Sequence, residues 1–293
     1  MARSTAAEDC WRLAELGIQD AVELLDGSIE DAALVESTVK RMQAQEIYNL
    51  AAQSVSANVS WQHPLETVHT NLYGTMYILE SMRKHSSASR LFQASSSEMF
   101  GESKNAMQNE ETPFSPRNPY ATSKLAAHWL VKNYRREHGL AACSGILFNH
   151  ESPLRGLKYV SRKISDGVAR IHLKLEDSII LGNLDATRDW GFAGDYVEAM
   201  WRMLQCDNPD DFIIATGKTH TVRDILTAAF AHIGREDWAP YVRQDERYMR
   251  TAELPPLCGD SGKAQSILGW QPQVSFEAMV AMMVDADIKR LQR

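Results

Sequence analysis

The stretch that decides the fold is LFQASSSEMFGESKNAMQNEETPFSPRNPYATSK, residues 91–124. Its first apolar run, Leu91-Phe92-Gln93-Ala94, predicts a buried strand, and Asn118-Pro119-Tyr120 predicts the start of a helix that continues to about His138. A buried strand followed by a long helix is the repeating unit of a parallel sheet. The stretch therefore predicts an α/β fold.

The chain before and after this stretch repeats the alternation. Helices are predicted at Asp31–Met42 and from Pro64 to about Lys84, and strands at Val22–Leu25 (ending in an Asp26-Gly27 turn), Glu46–Leu50 and Ala141–Phe148. Because strands and helices alternate, we expect a parallel sheet covered by helices on both faces.

The pattern loosens after about residue 158. Helices are predicted at Ser161–Lys174 and Phe276–Leu291, with short strands near Ile179–Leu181 and Phe212–Ile214. We interpret residues 1–158 as an α/β domain and residues 159–293 as a smaller, mainly substrate-binding domain that follows it in the chain. Residues from about 189 to 206 are expected to pack back on the first domain.

Composition argues against several classes of protein. The chain has 293 residues, 44% of them apolar, and a formal net charge of −7. Nucleic-acid binding requires a basic face, so we expect no nucleic-acid partner. No apolar run approaches the length of a membrane span and the N-terminus has no apolar signal region, so we expect no membrane partner and a cytoplasmic protein.

The cysteines predict neither a metal nor a redox site. Cys10, Cys143, Cys206 and Cys258 are far apart, which excludes a local CxxC pair. We expect reduced thiols and no bound metal.

Tyr120 and Lys124 carry the first chemical signal. On a helix they lie on one face, one turn apart, where the ammonium favours the phenolate form of the tyrosine and thus proton exchange by it. The bare YxxxK pattern also occurs on any exposed helix, so it needs support from the residues around it.

Ser96 and Glu98 supply that support. They follow the predicted strand Leu91–Ala94, and open parallel sheets bind ligands beyond the carboxyl ends of their strands. A hydroxyl and a carboxylate near a Tyr–Lys pair suit chemistry at a sugar alcohol. The alternative for Glu98 alone is a solvated loop carboxylate.

Three blocks of sequence together resemble the GDP-mannose 4,6-dehydratase family of extended short-chain dehydrogenases/reductases. They are QASSSEMFG (93–101) followed by Tyr120-x-x-x-Lys124, GILFNHESPLRG (145–156), and GNLDATRDWGFAGDYV (182–197). The resemblance runs from about Arg3 to the C-terminus. It implies a Rossmann-like, doubly wound parallel sheet with a smaller C-terminal sugar-nucleotide-binding domain. It also implies an NADP-dependent lyase, a homodimer or homotetramer, that converts GDP-α-D-mannose to GDP-4-keto-6-deoxy-α-D-mannose and water.

The resemblance implies roles for four catalytic residues. Tyr120 is the expected general base for the sugar 4-hydroxyl, and Lys124 is expected to hold the nicotinamide ribose and assist Tyr120. Glu98 is the expected acid and base at C5 and C6. Ser96 stands where threonine is usual and keeps the hydroxyl that bonds O4.

Binding residues follow from the same resemblance. Those expected to contact NADP, besides Tyr120 and Lys124, are Arg3 (at the 2′-phosphate), Leu50, Ala51, Ala52, Gln53, Ser54, His150 and Arg155. Those expected to contact GDP-mannose are Asn149, Lys163, Arg188, Arg250 and Glu253. Arginine suits diphosphate because its planar fork binds oxygens bidentately.

The chain departs from the family in its N-terminal part. Such enzymes open with a strand, a GxxGxxG turn, a helix and a second strand, whereas this chain starts where that second strand ends and has no GxGxxG or GxxGxxG. The resemblance thus implies a truncated first βαβ unit. Since its turn supplies the N–H groups that hold a pyrophosphate, we expect weak NADP binding by the chain as written. In addition, Ser28 stands where an aspartate that contacts adenine is usual.

Three interpretations of the first departure stay open at this point: a true start further upstream, an impaired product, or a non-catalytic subunit that joins active ones. A related nucleotide-sugar reductase or epimerase is a further alternative. A 4-reductase needs no acid or base at C5 and C6, so Glu98 beside the serines favours dehydration.

Overall fold

The computed structural model describes residues 10–53, 57–249 and 255–293. It divides into two compact units, which are described separately below. The first unit comprises Met1–Ser95, Arg117–Ser144 and Cys206–Asp210, and the second comprises Ser96–Pro116, Gly145–Gln205 and Asp211–Arg293. Two expectations concern which segments bind cofactor and which bind substrate: the domain boundary near residue 158 and the packing of residues 189–206 on the first domain. Both stay predictions.

The helices confirm most of the predicted positions. They are α1 (Trp11–Leu16), α2 (Ala32–Met42), α3 (Ala57–Gln62), α4 (Pro64–Val68), α5 (Gly74–His85), α6 (Pro119–His138), α7 (Val160–His172), α8 (Ala193–Gln205), α9 (Val222–His232), α10 (Gly262–Leu268) and α11 (Phe276–Leu291). Short 3₁₀ turns lie at Gln19–Ala21, Ser97–Phe100, Ala239–Tyr241 and Glu246–Tyr248.

The strands are β1 (Glu46–Asn49), β2 (Arg90–Ser96), β3 (Ala141–Leu147), β4 (Asn149–Glu151), β5 (Ile179–Leu181), β6 (Thr187–Phe192), β7 (Phe212–Ile214), β8 (Thr219–Thr221) and β9 (Val242–Gln244). Strands β1, β2, β3 and β7 are neighbours in that order. The β1–β2 and β3–β7 pairs are parallel, which confirms the predicted parallel sheet and the α/β class.

The first unit is built around β2. Its side chains are buried from Leu91 to Ser96, the pattern of a strand covered on both faces. A core that includes Val35 of α2, Leu79 of α5 and Val131 of α6 packs together with Leu91. This packing holds the start of α6 close to the end of β2, where Lys124 reaches a β2 carbonyl.

The second unit has its own core. Strand β6 pairs with β4 in parallel and with β8 antiparallel, and β5 pairs with β9 in parallel. Side chains of α7, α9 and α11, among them Ile164, Leu226 and Val280, pack into one apolar cluster with Trp190 of β6. Because these elements share a core, the loops at the ends of β4 and β6 have a fixed support.

One predicted helix is interrupted. The helix starts at Pro64 as expected, but His69–Tyr73 forms a π turn between α4 and α5. The backbone carbonyl of Asn71 accepts a bond from Thr75 Oγ1 (2.8 Å), and the Asn71 side chain is buried. A π turn inserts one residue into a helix and frequently marks a functional site.

The predicted strand Val22–Leu25 is wrong. These residues are irregular, and only Asp26 after them forms an isolated bridge. Val22 is exposed, and Leu24 and Leu25 are half-buried. A short apolar run becomes a strand only where a neighbour supplies hydrogen bonds, and periodicity alone cannot show that neighbour.

Within the described part of the chain, no helix has both the length and the hydropathy required to cross a membrane.

Candidate active site

Tyr120 and Lys124 lie in the first turns of α6. The helix begins sharply because the Asn118 side chain accepts a bond from Ala121 N (2.8 Å) and Pro119 occupies its first position. Lys124 is buried, and its Nζ donates to the Ala94 carbonyl of β2 (2.9 Å). That Nζ lies 5.9 Å from the centroid of the Tyr120 ring. The predicted Tyr–Lys pair is therefore formed in the first unit.

Burial lowers the pKa of Lys124 to about 8. Desolvation disfavours the ammonium, and the bond from Nζ to a neutral carbonyl does not offset this loss as a carboxylate partner would. The ammonium therefore predominates at neutral pH and is lost within one or two pH units above neutrality.

This pKa predicts a pH dependence. If the charge on Lys124 assists Tyr120, turnover should fall as pH rises through about 8, because the neutral amine no longer favours the phenolate. The measurement is the pH profile of kcat between pH 6 and about 10, around the Lys124 pKa of about 8. Lys124→Met should be slow throughout and lack this limb, whereas Lys132→Met, at an exposed position of the same helix, should keep it. A parental profile flat across this range would contradict the assignment.

A buried polar network ties the predicted cofactor-lining segment to α6. Gln53 N donates to Asn71 Oδ1 (2.9 Å), and Asn71 Nδ2 donates to Ser123 Oγ (3.0 Å). Ser123 Oγ in turn donates to the Tyr120 carbonyl (2.8 Å). The network connects Gln53 to the helix of Tyr120 and Lys124. Asn71 carries no signal in the sequence, because its position follows from the π turn and these bonds.

The rest of the predicted segment, Leu50, Ala51 and Ala52, directly follows β1. All three residues line a cavity of about 530 Å³ within the first unit. Sheets of this kind bind ligands beyond the carboxyl ends of their strands, which is where this segment lies. Ser54 and Arg3 lie outside the described residues.

Ser96 and Glu98 lie where β2 ends, in the second unit. Ser96 is the last residue of the strand, and its Oγ accepts a bond from Glu98 N (3.2 Å) at the start of the 3₁₀ turn Ser97–Phe100. Glu98 is half-buried. Phe100, two residues on, is buried with its ring 5.1 Å from that of Phe114. The strand end thus presents a hydroxyl and a carboxylate on a fixed turn.

Asn149 and His150 form most of β4 and pair with Trp190 and Gly191 of β6. His150 Nδ1 donates to the Phe148 carbonyl (2.9 Å), and its ring lies 4.9 Å from that of Tyr196. Desolvation lowers the pKa of His150 to about 4, so the imidazole is neutral at physiological pH. It is suited to hydrogen bonding and supplies no positive charge.

Arg155 is held by Glu151 and Tyr159. Its Nε lies 3.0 Å from the Glu151 carboxylate, and its guanidinium lies 3.6 Å from the centroid of the Tyr159 ring. Glu151 is buried and accepts a bond from Ser161 Oγ (2.6 Å). Burial raises the pKa of Glu151, against the opposing effect of Arg155.

Lys163 projects from the first turn of α7. Its Nζ lies 3.9 Å from the centroid of the Tyr248 ring, a cation–π contact. Burial lowers the pKa of Lys163, although nearby Asp245 opposes the shift. Arg250 and Glu253, predicted to lie near it in the site, are outside the described residues.

Arg188 lies on β6 opposite His220 of β8. Next to it, buried Asp189 accepts bonds from Thr216 N (2.9 Å), Gly217 N (3.0 Å) and Gly259 N (3.2 Å). Asp189 therefore fixes the loop after β7 beside the strand of Arg188. This role was not predicted from the sequence, because a buried aspartate and a surface aspartate look the same there.

The structure groups the predicted residues within each unit. In the first unit, Leu50–Gln53 and the Tyr120–Lys124 pair are linked by Asn71 and Ser123. The second unit carries Ser96, Glu98, Asn149, His150, Arg155, Lys163 and Arg188.

The fold defines the class: this is an α/β protein built on a Rossmann-type parallel sheet. It resembles RMD from Pseudomonas aeruginosa complexed with NADPH, with a TM-score of 0.82 at 21% identity over 91% of this chain and 87% of that one. It also resembles dTDP-glucose 4,6-dehydratase from Bacillus anthracis in complex with NAD, with a TM-score of 0.80 at 21% identity over 96% of this chain and 85% of that one.

Sequence comparison specifies the family. The profile described as GDP-mannose 4,6 dehydratase matches residues 1–283. GDP-mannose 4,6 dehydratase 2 of Arabidopsis thaliana is 49% identical over 269 residues, 90% of this chain and 71% of that protein. GDP-mannose 4,6 dehydratase of Cricetulus griseus is 40% identical over 303 residues, 97% of this chain and 81% of that protein. The chain belongs to the GDP-mannose 4,6-dehydratase family, which confirms the resemblance.

Proposed function

We propose that this protein converts GDP-α-D-mannose to GDP-4-keto-6-deoxy-α-D-mannose and water, with NADP as cofactor. The observation that carries the proposal is the fixed Ser96–Glu98 turn at the end of β2, in a chain that also forms the Tyr120–Lys124 pair. The pair suits proton transfer at a sugar hydroxyl, and the added carboxylate suits elimination at the adjoining carbons.

Tyr120 and Lys124 act at C4. Tyr120 removes the proton of the 4-hydroxyl, and the Lys124 ammonium favours the phenolate that does so. The Ser96 hydroxyl bonds O4 of the sugar. When bound, NADP⁺ supplies the redox chemistry, accepting a hydride from C4 and returning it at C6.

Glu98 performs the elimination. A ketone at C4 makes the C5 hydrogen acidic, so the Glu98 carboxylate can remove it as a proton. Glu98 then gives a proton to the 6-hydroxyl, which leaves as water while the C5–C6 double bond forms. Because one proton is taken and one is returned, Glu98 ends the elimination ionised, as it began. When the hydride returns to C6, C5 takes up a proton from solvent, and the proton that Tyr120 removed from the 4-hydroxyl is released to solvent, so the net loss is one water.

The residues present fit a nicotinamide dinucleotide. The cavity of about 530 Å³ after β1 is lined by Leu50, Ala51 and Ala52, whose small or apolar side chains leave room for a flat ring. Gln53 adjoins them, and the network through Asn71 joins this segment to the Tyr120 helix. His150 and Arg155 are proposed as further contacts with the cofactor.

The substrate diphosphate is proposed to lie near Arg188 and Lys163, with Asn149 at the sugar. The two side chains are basic, and the chain as a whole carries a net charge of −7, so local positive groups are required to hold an anion. The cytoplasm as its location and a homodimer or homotetramer as its assembly stay predictions from the family resemblance.

Replacing Arg188 with alanine tests this assignment. We expect the Kd for GDP-mannose to rise by roughly 10- to 150-fold, since a bond to a charged group contributes about 1.5–3 kcal/mol. The Kd for NADP⁺ should barely change. Arg223→Ala is the matched control: it removes an exposed arginine of the same unit, paired with Asp185 at 2.7 Å, and should affect neither ligand. Equal weakening of both ligands by Arg188→Ala would assign this residue to the fold or to the cofactor.

The alternatives differ in their products. Incubation of the protein with GDP-mannose and NADP⁺, followed by mass spectrometry, should give a nucleotide sugar lighter by one water. An epimerase would leave the mass unchanged, and a reductase would need reduced cofactor and would release no water. A non-catalytic or impaired chain would give no product.

A further inference from the structure

The turn that carries Glu98 continues into residues 101–116, here called the Glu98 loop. The loop returns to its own starting point, because Ser115 N donates to the Met99 carbonyl (3.0 Å). The ring of Phe114 also stacks on the phenylalanine of the turn, with 5.1 Å between the centroids. A displacement of the loop is therefore transmitted to the turn of Glu98.

Gln108 holds the middle of this loop. It is fully buried and forms an isolated parallel bridge with Gly259. Its backbone N donates to the Cys258 carbonyl (2.8 Å), and its carbonyl accepts from Asp260 N (2.8 Å). Its side chain is bonded at both ends, with Oε1 accepting from Cys258 N (2.8 Å) and Nε2 donating to the Asn105 carbonyl (2.9 Å). A buried amide bonded in this way has one orientation.

Glu110 is a second anchor of the loop. Its Oε1 accepts a hydrogen bond from Ile213 N (2.8 Å), in the middle of β7. Ile213 is buried, so this bond joins the loop to the interior of the second unit. Polar contacts of this kind fix one arrangement, because each requires a partner in a defined direction.

The segment 258–260, which binds Gln108, also binds the strand of Arg188. Gly259 N donates to Asp189 Oδ2 (3.2 Å), and Asp189 is the neighbour of Arg188 on β6. A Cβ at position 259 would lie 2.3 Å from the Ala215 Cβ, so the close approach of this segment requires glycine. One short segment thus connects the Glu98 loop to the strand that carries the proposed diphosphate contact.

We infer that Gln108 and Glu110 are positioning residues for Glu98 and hold its carboxylate in one frame with the strand of Arg188. The inference deepens the proposed function and rests on it, since that function assigns the elimination to Glu98. A displacement of about 1 Å at a reacting group can lower a rate by roughly 10²-fold. Release of the loop should therefore slow the loss of water, whereas oxidation at C4, which does not use Glu98, should change little.

The test compares loss of water with oxidation at C4 in single turnovers of Gln108→Met. Methionine is about as long as glutamine, and the two backbone bonds of residue 108 stay, so only the side-chain bonds are lost. Mass spectrometry reports loss of water, and the absorbance of reduced nicotinamide reports oxidation. We expect the ratio of water loss to oxidation to fall by roughly 10- to 100-fold. Gln273→Met, at an exposed glutamine of the same unit, is the matched control and should keep the parental ratio.

Glu110 supplies a conservative pair of variants. Glu110→Gln keeps an oxygen that can accept from Ile213 N and should keep the parental ratio, whereas Glu110→Ala removes the acceptor and should lower it. Val280→Ala, in the apolar core of the same unit, should lower the melting temperature and leave the ratio unchanged. A parental ratio in folded Gln108→Met would overturn the inference, and so would an equal fall of the ratio in Val280→Ala. If Gln108→Met fails to fold, the Glu110 pair decides, and equal ratios in its two variants would overturn the inference.

Hydrogen exchange separates this inference from the proposed function, because it requires no turnover. Amide exchange over residues 98–101 should be about 10-fold faster in Gln108→Met than in the parent, and unchanged in Gln273→Met. A parental protein that releases no water from GDP-mannose would count against the proposed function, and the exchange would then decide the inference. Faster exchange would support the positioning of the turn by the loop, and unchanged exchange would overturn it.

Discussion

Replacing Glu98 with glutamine should abolish release of the deoxysugar and leave oxidation at C4 measurable. The amide cannot take the C5 proton or protonate the leaving hydroxyl, and loss of one positioned proton transfer lowers a rate by roughly 10² to 10⁴. Glutamine has nearly the same shape, and the bond from residue 98 N to Ser96 Oγ involves only the backbone of residue 98. The 3₁₀ turn should therefore persist.

Two readings distinguish elimination from oxidation in this variant. Absorbance of the reduced nicotinamide reports oxidation at C4, and mass spectrometry reports loss of water. We expect the reduced nicotinamide to be detected still and the loss of water to stop. Glu102→Gln, an exposed carboxylate just past the same turn, should behave like the parent. Deoxysugar release by Glu98→Gln at close to the parental rate would contradict the role given to this residue.

Tyr120→Phe should have the second large effect, at an earlier step. Loss of the phenol removes the base for the 4-hydroxyl, and we expect kcat to fall by roughly 10² to 10⁴. The ring itself remains 5.9 Å from Lys124 Nζ, and the Lys124 bond to Ala94 does not involve it, so cofactor affinity should change little.

The matched control lies on the same helix. Tyr134 donates its hydroxyl to Glu80 (2.7 Å), so Tyr134→Phe removes a phenol with a structural partner. Tyr134→Phe should lower the melting temperature slightly and leave kcat unchanged. Tyr120→Phe should lower kcat and leave the melting temperature nearly unchanged. If turnover of Tyr120→Phe equals that of Tyr134→Phe, Tyr120 is not the base.

The strands and helices that could be predicted from the sequence are those with a clear apolar pattern or a clear start or stop signal at their ends. Strand β2 was predicted because Leu91–Ala94 is a short, mostly apolar run, and α6 because Asn118-Pro119 is a typical helix start. The strand predicted at Val22–Leu25 shows the limit, since a strand depends on a neighbour that its own residues do not specify.

Sequence patterns could not predict the contacts that hold the side chains of the site in position. The residues His69–Tyr73 carry no glycine or proline that would announce a π turn, yet that turn holds buried Asn71, whose side chain bonds Gln53 and Ser123. Glu30 and Thr70 are distant in sequence and meet only in the folded unit. Such contacts arise from tertiary packing, which propensity and spacing do not encode.

The central claim is dehydration at C5 and C6 coupled to internal hydrogen transfer, and isotope labelling tests it most directly. The protein is incubated with NADP⁺ and GDP-mannose that carries deuterium at C4, and the product is examined by NMR. We predict a 4-keto-6-deoxy sugar with the deuterium at C6 and a hydrogen at C5 exchanged with solvent. Absence of product, or a deoxysugar whose deuterium has been lost to solvent, would contradict the account.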